Sequence, residues 1–279
     1  MARRLILTNT ISLIILGVLL LFSFVPVVMM LSMSLKDSLV IFGDFWAPPI
    51  PPLWSNYSTA LVTLLPPMLR TLTICAVSIV GITVFSCLAS YAFARLKFFG
   101  KEALFFLVVF LFLVPGSLTL TPSFVLFDQL HLRNSIIGLI ISYVAGGQVF
   151  AIFLLSAFFQ SQPEEIFEAA RIDGASELRM LRDIAIPLAW PILITLGILN
   201  FLSIYNDFIW PLLMISSPDL QTLTVALAAF NPANQRLPGR PELGIITAAY
   251  VFASVPVLAV FSFGMRYYIE GLTSGAIKS

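Results

Sequence analysis

Charge is what this sequence has least of. Only 10% of its 279 residues are Asp, Glu, Lys or Arg, against about 25% in a soluble domain. The formal net charge of +1 leaves no basic surface for nucleic acid. Histidine occurs once. His131 has no His/Cys cluster to join, so it cannot hold a metal and reads as a loop residue near the outer surface. Both cysteines, Cys75 and Cys87, fall in one apolar stretch about three helical turns apart, too far to bridge within a helix. They say nothing about redox compartment. No Gly-rich phosphate loop occurs, so no nucleotide-hydrolysing site is expected in this chain.

What is present is hydrophobic: 59% of the residues, in long uncharged runs. Arg3 and Arg4 open the chain and the next charge is Lys36. A secretory signal has an apolar core of about 7–15 residues. The run here is about twice that, with no small-x-small cleavage site, and reads as a retained span over residues 11–33, kinked by Pro26. Further spans are expected at 71–94, 103–127, 135–159, 188–214 and 243–265, each near the roughly 20 residues that cross a bilayer. Pro115-Gly116 should bend the third. Residues 37–67 carry Trp46, Trp54, Tyr57 and the prolines Pro48, Pro49, Pro51 and Pro52, and two readings are open for them: contact with an outer partner, or an interfacial loop. Residues 215–242 return outside.

The basic residues orient this arrangement. With both termini inside, Arg3, Arg4, Arg95, Lys97, Lys101, Arg171, Arg179, Arg182, Arg266 and Lys278 are cytoplasmic, and Lys36, Arg70, Arg133, Arg236 and Arg240 lie outside. Ten of the 15 Lys and Arg therefore face the cytoplasm, as the positive-inside rule requires.

One polar stretch, residues 161–187, interrupts the apolar blocks on that inner side. Ser161 and Glu164 have capping-box spacing, and Pro163 suits a first helical turn. Ile166, Ala169, Ala170 and Asp173 then recur on one small, close-packing face, with charge on the reverse. Gly174 stands where a helix end needs positive φ. A second amphipathic piece runs over 176–184 to Pro187. The pattern is that of a helix lying on the membrane surface, available to a partner outside the bilayer.

Polar groups within the spans mark where a solute could pass. Asn200, Ser203 and Asp207 are spaced i, i+3, i+7 on one helix face, with Asn200 near mid-membrane and Asp207 near the outer boundary at 1.5 Å per residue. Tyr205 and Asn206 flank the stripe. Tyr143 and Gln148 sit at comparable depth beside Gly146-Gly147, a pair that permits either close helix packing or a break. A hydroxyl-rich solute needs such hydrogen bonds and aromatic faces. The same groups could instead join helices or cap them.

The series Glu168-Ala169-Ala170, Gly174, and Ile184-Ala185-Ile186-Pro187 resembles the "EAA" loop of permease subunits of binding-protein-dependent ABC importers. That family's pattern is Glu-Ala-Ala, three residues, Gly, nine residues, Ile-x-Leu-Pro; here Ile186 replaces Leu. The segment Tyr205-Asn206-Asp207-Phe208-Ile209-Trp210-Pro211 and the tail Gly271-Leu272-Thr273-Ser274-Gly275-Ala276 are similar to the maltose-type carbohydrate-uptake subgroup. The resemblance implies an all-α, six-span permease of the type I importer fold in a bacterial or archaeal cytoplasmic membrane. It divides the chain into a first span with its outer segment (1–66), a core transmembrane domain (67–267) and a cytoplasmic tail (268–279). It also implies that Glu168, Ala169, Ala170, Asp173 and Gly174 form a coupling helix docked on an ATPase.

The implied partners are a second related permease, two ATPase subunits and an extracytoplasmic binding protein that delivers a mono- or oligosaccharide. ATP and magnesium would belong to the ATPase. No Lys or Arg is read as lying deep in a span, which favours a neutral sugar over a polyol or glycerol phosphate ester. An ion-coupled secondary transporter would have Asp207 as its only deep acid and no use for the coupling loop.

Overall fold

The computed structural model describes residues 2–232 and 239–276, and side chains over 12–232 and 239–264. The fold is all-α, with no strand among the described residues. In chain order the helices are α1 (Ala2–Ser34), α2 (Ser38–Gly43), α3 (Ser55–Arg95), α4 (Lys101–Phe112), α5 (Gly116–Gln129), α6 (Ile136–Ser161) and α7 (Glu164–Ile172). There follow α8 (Glu177–Met180), a π-helical turn over Leu181–Ala185, α9 (Ile186–Leu188), α10 (Trp190–Tyr205), α11 (Ile209–Met214), α12 (Leu223–Ala229) and α13 (Leu243–Ala276). Among the described residues, four helices are long and apolar enough to cross a membrane, and two bent pairs raise the number to six if each is one span.

The departures from the expected spans have local causes. The second span is much longer than 71–94: α3 begins at Ser55, so Tyr57 and the last part of the stretch read as outer segment, residues 55–67, are helical, while residues 44–54 are not. Its 41 residues are about twice the number needed to cross a hydrocarbon core of about 30 Å. Arg70 lies inside this helix, not in a loop, and donates to the Gln221 carbonyl. The third span bends by 102° between α4 and α5, because Pro115 has no N–H and disfavours a helical Val114. The fifth bends by 77° at Ala189. The π turn comes just before Pro187, where the missing N–H would leave an α-helical carbonyl unpaired. Its helix then stops at Tyr205, short of the expected 214. The sixth helix continues from Leu243 to Ala276, so the expected tail is helical as far as it is described. The side chains of Arg3, Arg4, Arg236, Arg266 and Lys278 lie outside the described residues.

The chain forms two compact units, residues 1–66 with 227–255, and residues 67–226 with 256–279. In the first, Asn56 donates to the carbonyls of Ser34 (2.9 Å) and Lys36 (3.0 Å), satisfying the frayed end of α1. Glu242 accepts a bond from Ser38, and Tyr57 bonds Ser34 at 2.6 Å. Within α1, residues 12–28 are all exposed, and only the last turn, ending at Ser34, is packed by the chain. In the second unit the packing axis is a row on α3 with a residue at every fourth position: Ile74, Ser78, Ile82, Ser86 and Ser90 are all buried. Alternating small residues with Ile lets α6 approach closely, and Ser90 reaches the Ile152 carbonyl at 3.1 Å. Gly147 sits where a Cβ would come within 2.6 Å of Ile82. Gly147 is therefore a point of close packing, Gly146 has open space beside it, and α6 runs through the pair unbroken.

Candidate functional site

Two sets of residues within the second unit answer to the sequence expectations. The first surrounds α7. Gly174 has φ +78°, and the N–H groups of Ala175 and Gly174 bond the carbonyls of Ala170 (2.9 Å) and Arg171 (3.0 Å). That is the paired closure of a Schellman cap, which glycine enters without strain.

The expected capping box does not form. Ser161 is still in the last turn of α6, with its hydroxyl on the Phe158 carbonyl at 2.8 Å. Glu164 instead pairs with Arg95 and, at 2.9 Å, with Arg171. Two guanidinium partners outcompete a neutral backbone N–H for that carboxylate. Its pKa is held below the ordinary 4.5, chiefly by the hydrogen bond from Arg171, with the charge of Arg95 adding.

The face carrying Ile166, Ala169 and Asp173 is exposed, Ala170 is half-buried, and Glu168 is exposed. The residue that anchors α7 inward is Phe167, fully buried beneath the Arg95 guanidinium, 4.0 Å from the ring centroid. Ile172 is 86% and Leu178 68% exposed. A helix outside the spans thus leaves an apolar and acidic surface exposed, while its reverse is fastened to the membrane helices.

The second set lines a cavity of about 520 Å³ between α5, α6 and α10, bounded by Gly116, Ser142, Tyr143, Gly146, Gly147, Phe150, Leu199, Asn200, Ser203, Ile204 and Asp207. Asp207 is not on the α10 helix as its spacing suggested. It sits in the break before α11, where Oδ1 accepts from the Trp210 N–H (3.3 Å) and Oδ2 from the Tyr143 hydroxyl (2.9 Å). The side chain both caps α11 and faces the cavity. Trp210 is held in turn by its indole N–H on Ser142 at 2.7 Å.

Asn200 and Ser203 reach the same cavity, while Asn200 also donates to Leu196 at 2.9 Å. Gln148, Tyr205 and Asn206 do not line it. Gln148 bonds the Val144 carbonyl, Tyr205 is buried against Phe201, and Asn206 bonds the Leu202 carbonyl. Ser142 and Phe150, which the polar stripe did not single out, do line it. A larger groove of about 700 Å³, between α3 and α8–α10, has Val84, Leu88, Trp190 and Ile194 among its walls. Its mostly apolar walls offer few partners to a hydroxylated solute.

Bent apolar spans around a cavity that carries several polar groups, with an exposed helix fastened to their ends, fit the membrane-embedded subunit of a transporter. The profile of the binding-protein-dependent transport system inner membrane component matches residues 81–273. An ABC transporter permease of Caldicellulosiruptor sp. (strain Rt8B.4) is 34% identical over 91% of each chain. The melibiose/raffinose/stachyose import permease of Bacillus subtilis (strain 168) is 31% identical, also over 91% of each. The trehalose transport system permease of Mycobacterium tuberculosis is 33% identical over 70% of each. Among solved structures, a bacterial ABC transporter involved in the import of the acidic polysaccharide alginate has the same fold, with TM-score 0.84, 22% identity and coverage of 94% of this chain and 96% of that one. The chain belongs to the binding-protein-dependent transport system inner membrane components, and is a multi-pass permease subunit of an ABC importer.

Proposed function

We propose that this permease forms half of the pathway for a neutral mono- or oligosaccharide, handed over by an extracytoplasmic binding protein. The observation that carries the reading is the cavity, where Tyr143, Asn200, Ser203 and Asp207 converge beside Phe150. Hydroxyl, amide and carboxylate groups can exchange hydrogen bonds with sugar hydroxyls, and an aromatic face can lie against a pyranose ring. No Lys or Arg is among the lining residues, and a phosphate ester would need one. That disfavours a polyol or glycerol phosphate. Relatives named for oligosaccharide and trehalose uptake support the sugar.

In this reading the termini are cytoplasmic and α7 is the coupling helix. Glu168, Ala169, Ala170, Asp173 and Gly174 present the surface that an ATPase subunit grips, and ATP and magnesium are bound there rather than here. Two ATPases and a second related permease complete the assembly. The second permease, with lipid, covers apolar surface such as that of α1. Residues 67–267 form the pathway core, with 1–66 and 268–279 as flanking parts.

The test is affinity purification of tagged chain from native membranes in mild detergent, followed by uptake assays in vesicles. An ATPase and a second six-span permease should copurify, and uptake should stop when ATP is depleted. A chain recovered alone, with uptake that tracks an ion gradient, would overturn the reading and move Asp207 into an ion-coupling role.

A further inference from the structure

Arg95 ends α3, and its side chain is only 5% exposed. A buried guanidinium needs every partner it can find. It donates to the carbonyls of Phe159 and Gln162, each at 2.7 Å, pairs with Glu164, and lies flat on Phe167. Those contacts fall before, within and after the link between α6 and α7. The link, Gln162-Pro163, has extended backbone; Pro163 fixes its own φ, and the Arg95 contacts brace the link from outside. Four residues earlier on the same face of α3, Tyr91 donates to Glu177 at 2.7 Å, beyond the far end of α7. Arg171 then joins the two carboxylates, 2.9 Å from Glu164 and 3.7 Å from Glu177. Gln162 adds a bond to the Ala185 carbonyl at 3.1 Å.

We propose that Arg95, seconded by Tyr91, is a positioning residue that clamps α7 to α3 at both ends. The pair then moves as one body, and displacement of α7 reaches the cavity through α3. The second half of that route is already packed: Ile82 of α3 lies against Gly147, which in turn abuts the Asn200 amide in the cavity wall. A clamp explains why the guanidinium is spent on main-chain carbonyls around a hinge, where an apolar residue would have filled the space. The consequence for transport rests on α7 being the coupling helix; the clamp itself does not.

Spin labels on Glu165→Cys and Val80→Cys, in a chain with Cys75 and Cys87 replaced by serine, read the α7–α3 distance by pulsed electron resonance. The assembled transporter is measured in nanodiscs, without nucleotide and with ATP and magnesium. One narrow distance, unchanged by nucleotide, is expected for the otherwise native chain. Arg95→Gln should broaden it and lower the stimulation of ATP hydrolysis by purified binding protein about tenfold. Arg95→Lys, with the charge but not the fork, should recover part of both. If Arg95→Gln does not assemble, Tyr91→Phe keeps the ring and removes only the bond to Glu177; it should broaden the distance less. A native-like distance and stimulation in the assembled Arg95→Gln chain, or in Tyr91→Phe where Arg95→Gln does not assemble, would overturn the clamp, as would a native distance that shifts with ATP. If no ATPase accompanies the chain, the coupling reading fails, and the distance comparison still decides the clamp.

Discussion

Asp207 shows how one side chain can serve structure and passage together. Its two oxygens are committed to different elements, one to the first turn of α11 and one to the Tyr143 hydroxyl across the cavity. Removing the carboxylate leaves a backbone N–H and a phenol short of partners. Asp207→Ala should therefore lower stability by about 1–3 kcal/mol, read as a lower melting temperature of the purified transporter. Asp207→Asn keeps an acceptor for Trp210 and should melt close to the native protein. If its uptake is nevertheless reduced, the loss belongs to the solute contact. The pair also separates the two open readings of the polar stripe, since a purely capping role predicts normal uptake for Asp207→Asn.

Among the elements, α7 has one face packed against the chain and the other left open. Its inner side is Phe167 under Arg95, and its outer side is Ile166, Ala169 and Ile172, open to a partner. The Schellman closure at Gly174 sets where the helix ends and where that surface stops. A Cβ there meets no neighbour within 4 Å, but the φ of +78° is unfavourable for other L-residues by about 1–2 kcal/mol. Gly174→Ala should thus be a mild stability variant. Gly174→Asp adds strain and a charge on the exposed side, and should reduce uptake at least about tenfold while basal ATP hydrolysis persists. Paired ATPase and uptake assays in proteoliposomes check this, and unchanged uptake would remove α7 from the coupling role.

At the scale of the whole molecule, orientation is the property on which the assignments of inside and outside depend. The positive-inside count predicts that the loop between α3 and α4, with Lys97 and Lys101, faces the cytoplasm together with α7. The turn holding His131, with φ 56° and an exposed side chain, should face outward. Cysteine substitution at Lys97, Glu168 and His131, followed by an impermeant thiol reagent on intact cells, checks this. His131→Cys alone should label, and labelling of Glu168→Cys would invert the topology.

Membrane residence, the approximate spans and the helix outside them were legible in the sequence, because hydropathy, turn chemistry and capping are properties of neighbouring residues. Gly174 as a positive-φ helix end and Pro115 as a bend are of that kind. Convergence of Asn200, Ser203 and Asp207 was legible too, although the helix that should have carried all three breaks before Asp207. Other features depend on residues distant in the chain, and only the tertiary structure decided them. Ser161 and Glu164 had a capping box available, but Arg95, arriving from the end of another helix, took the carboxylate. Arg95 itself looked like one more inward-facing surface charge; burial against Phe167 and the α6 carbonyls makes it a structural bolt. Tyr205 and Asn206 looked like cavity residues, and packing turned them away. Local pattern determines which segments are helical and which sit in lipid, while the competition among distant partners for each buried polar group decides what those groups hold.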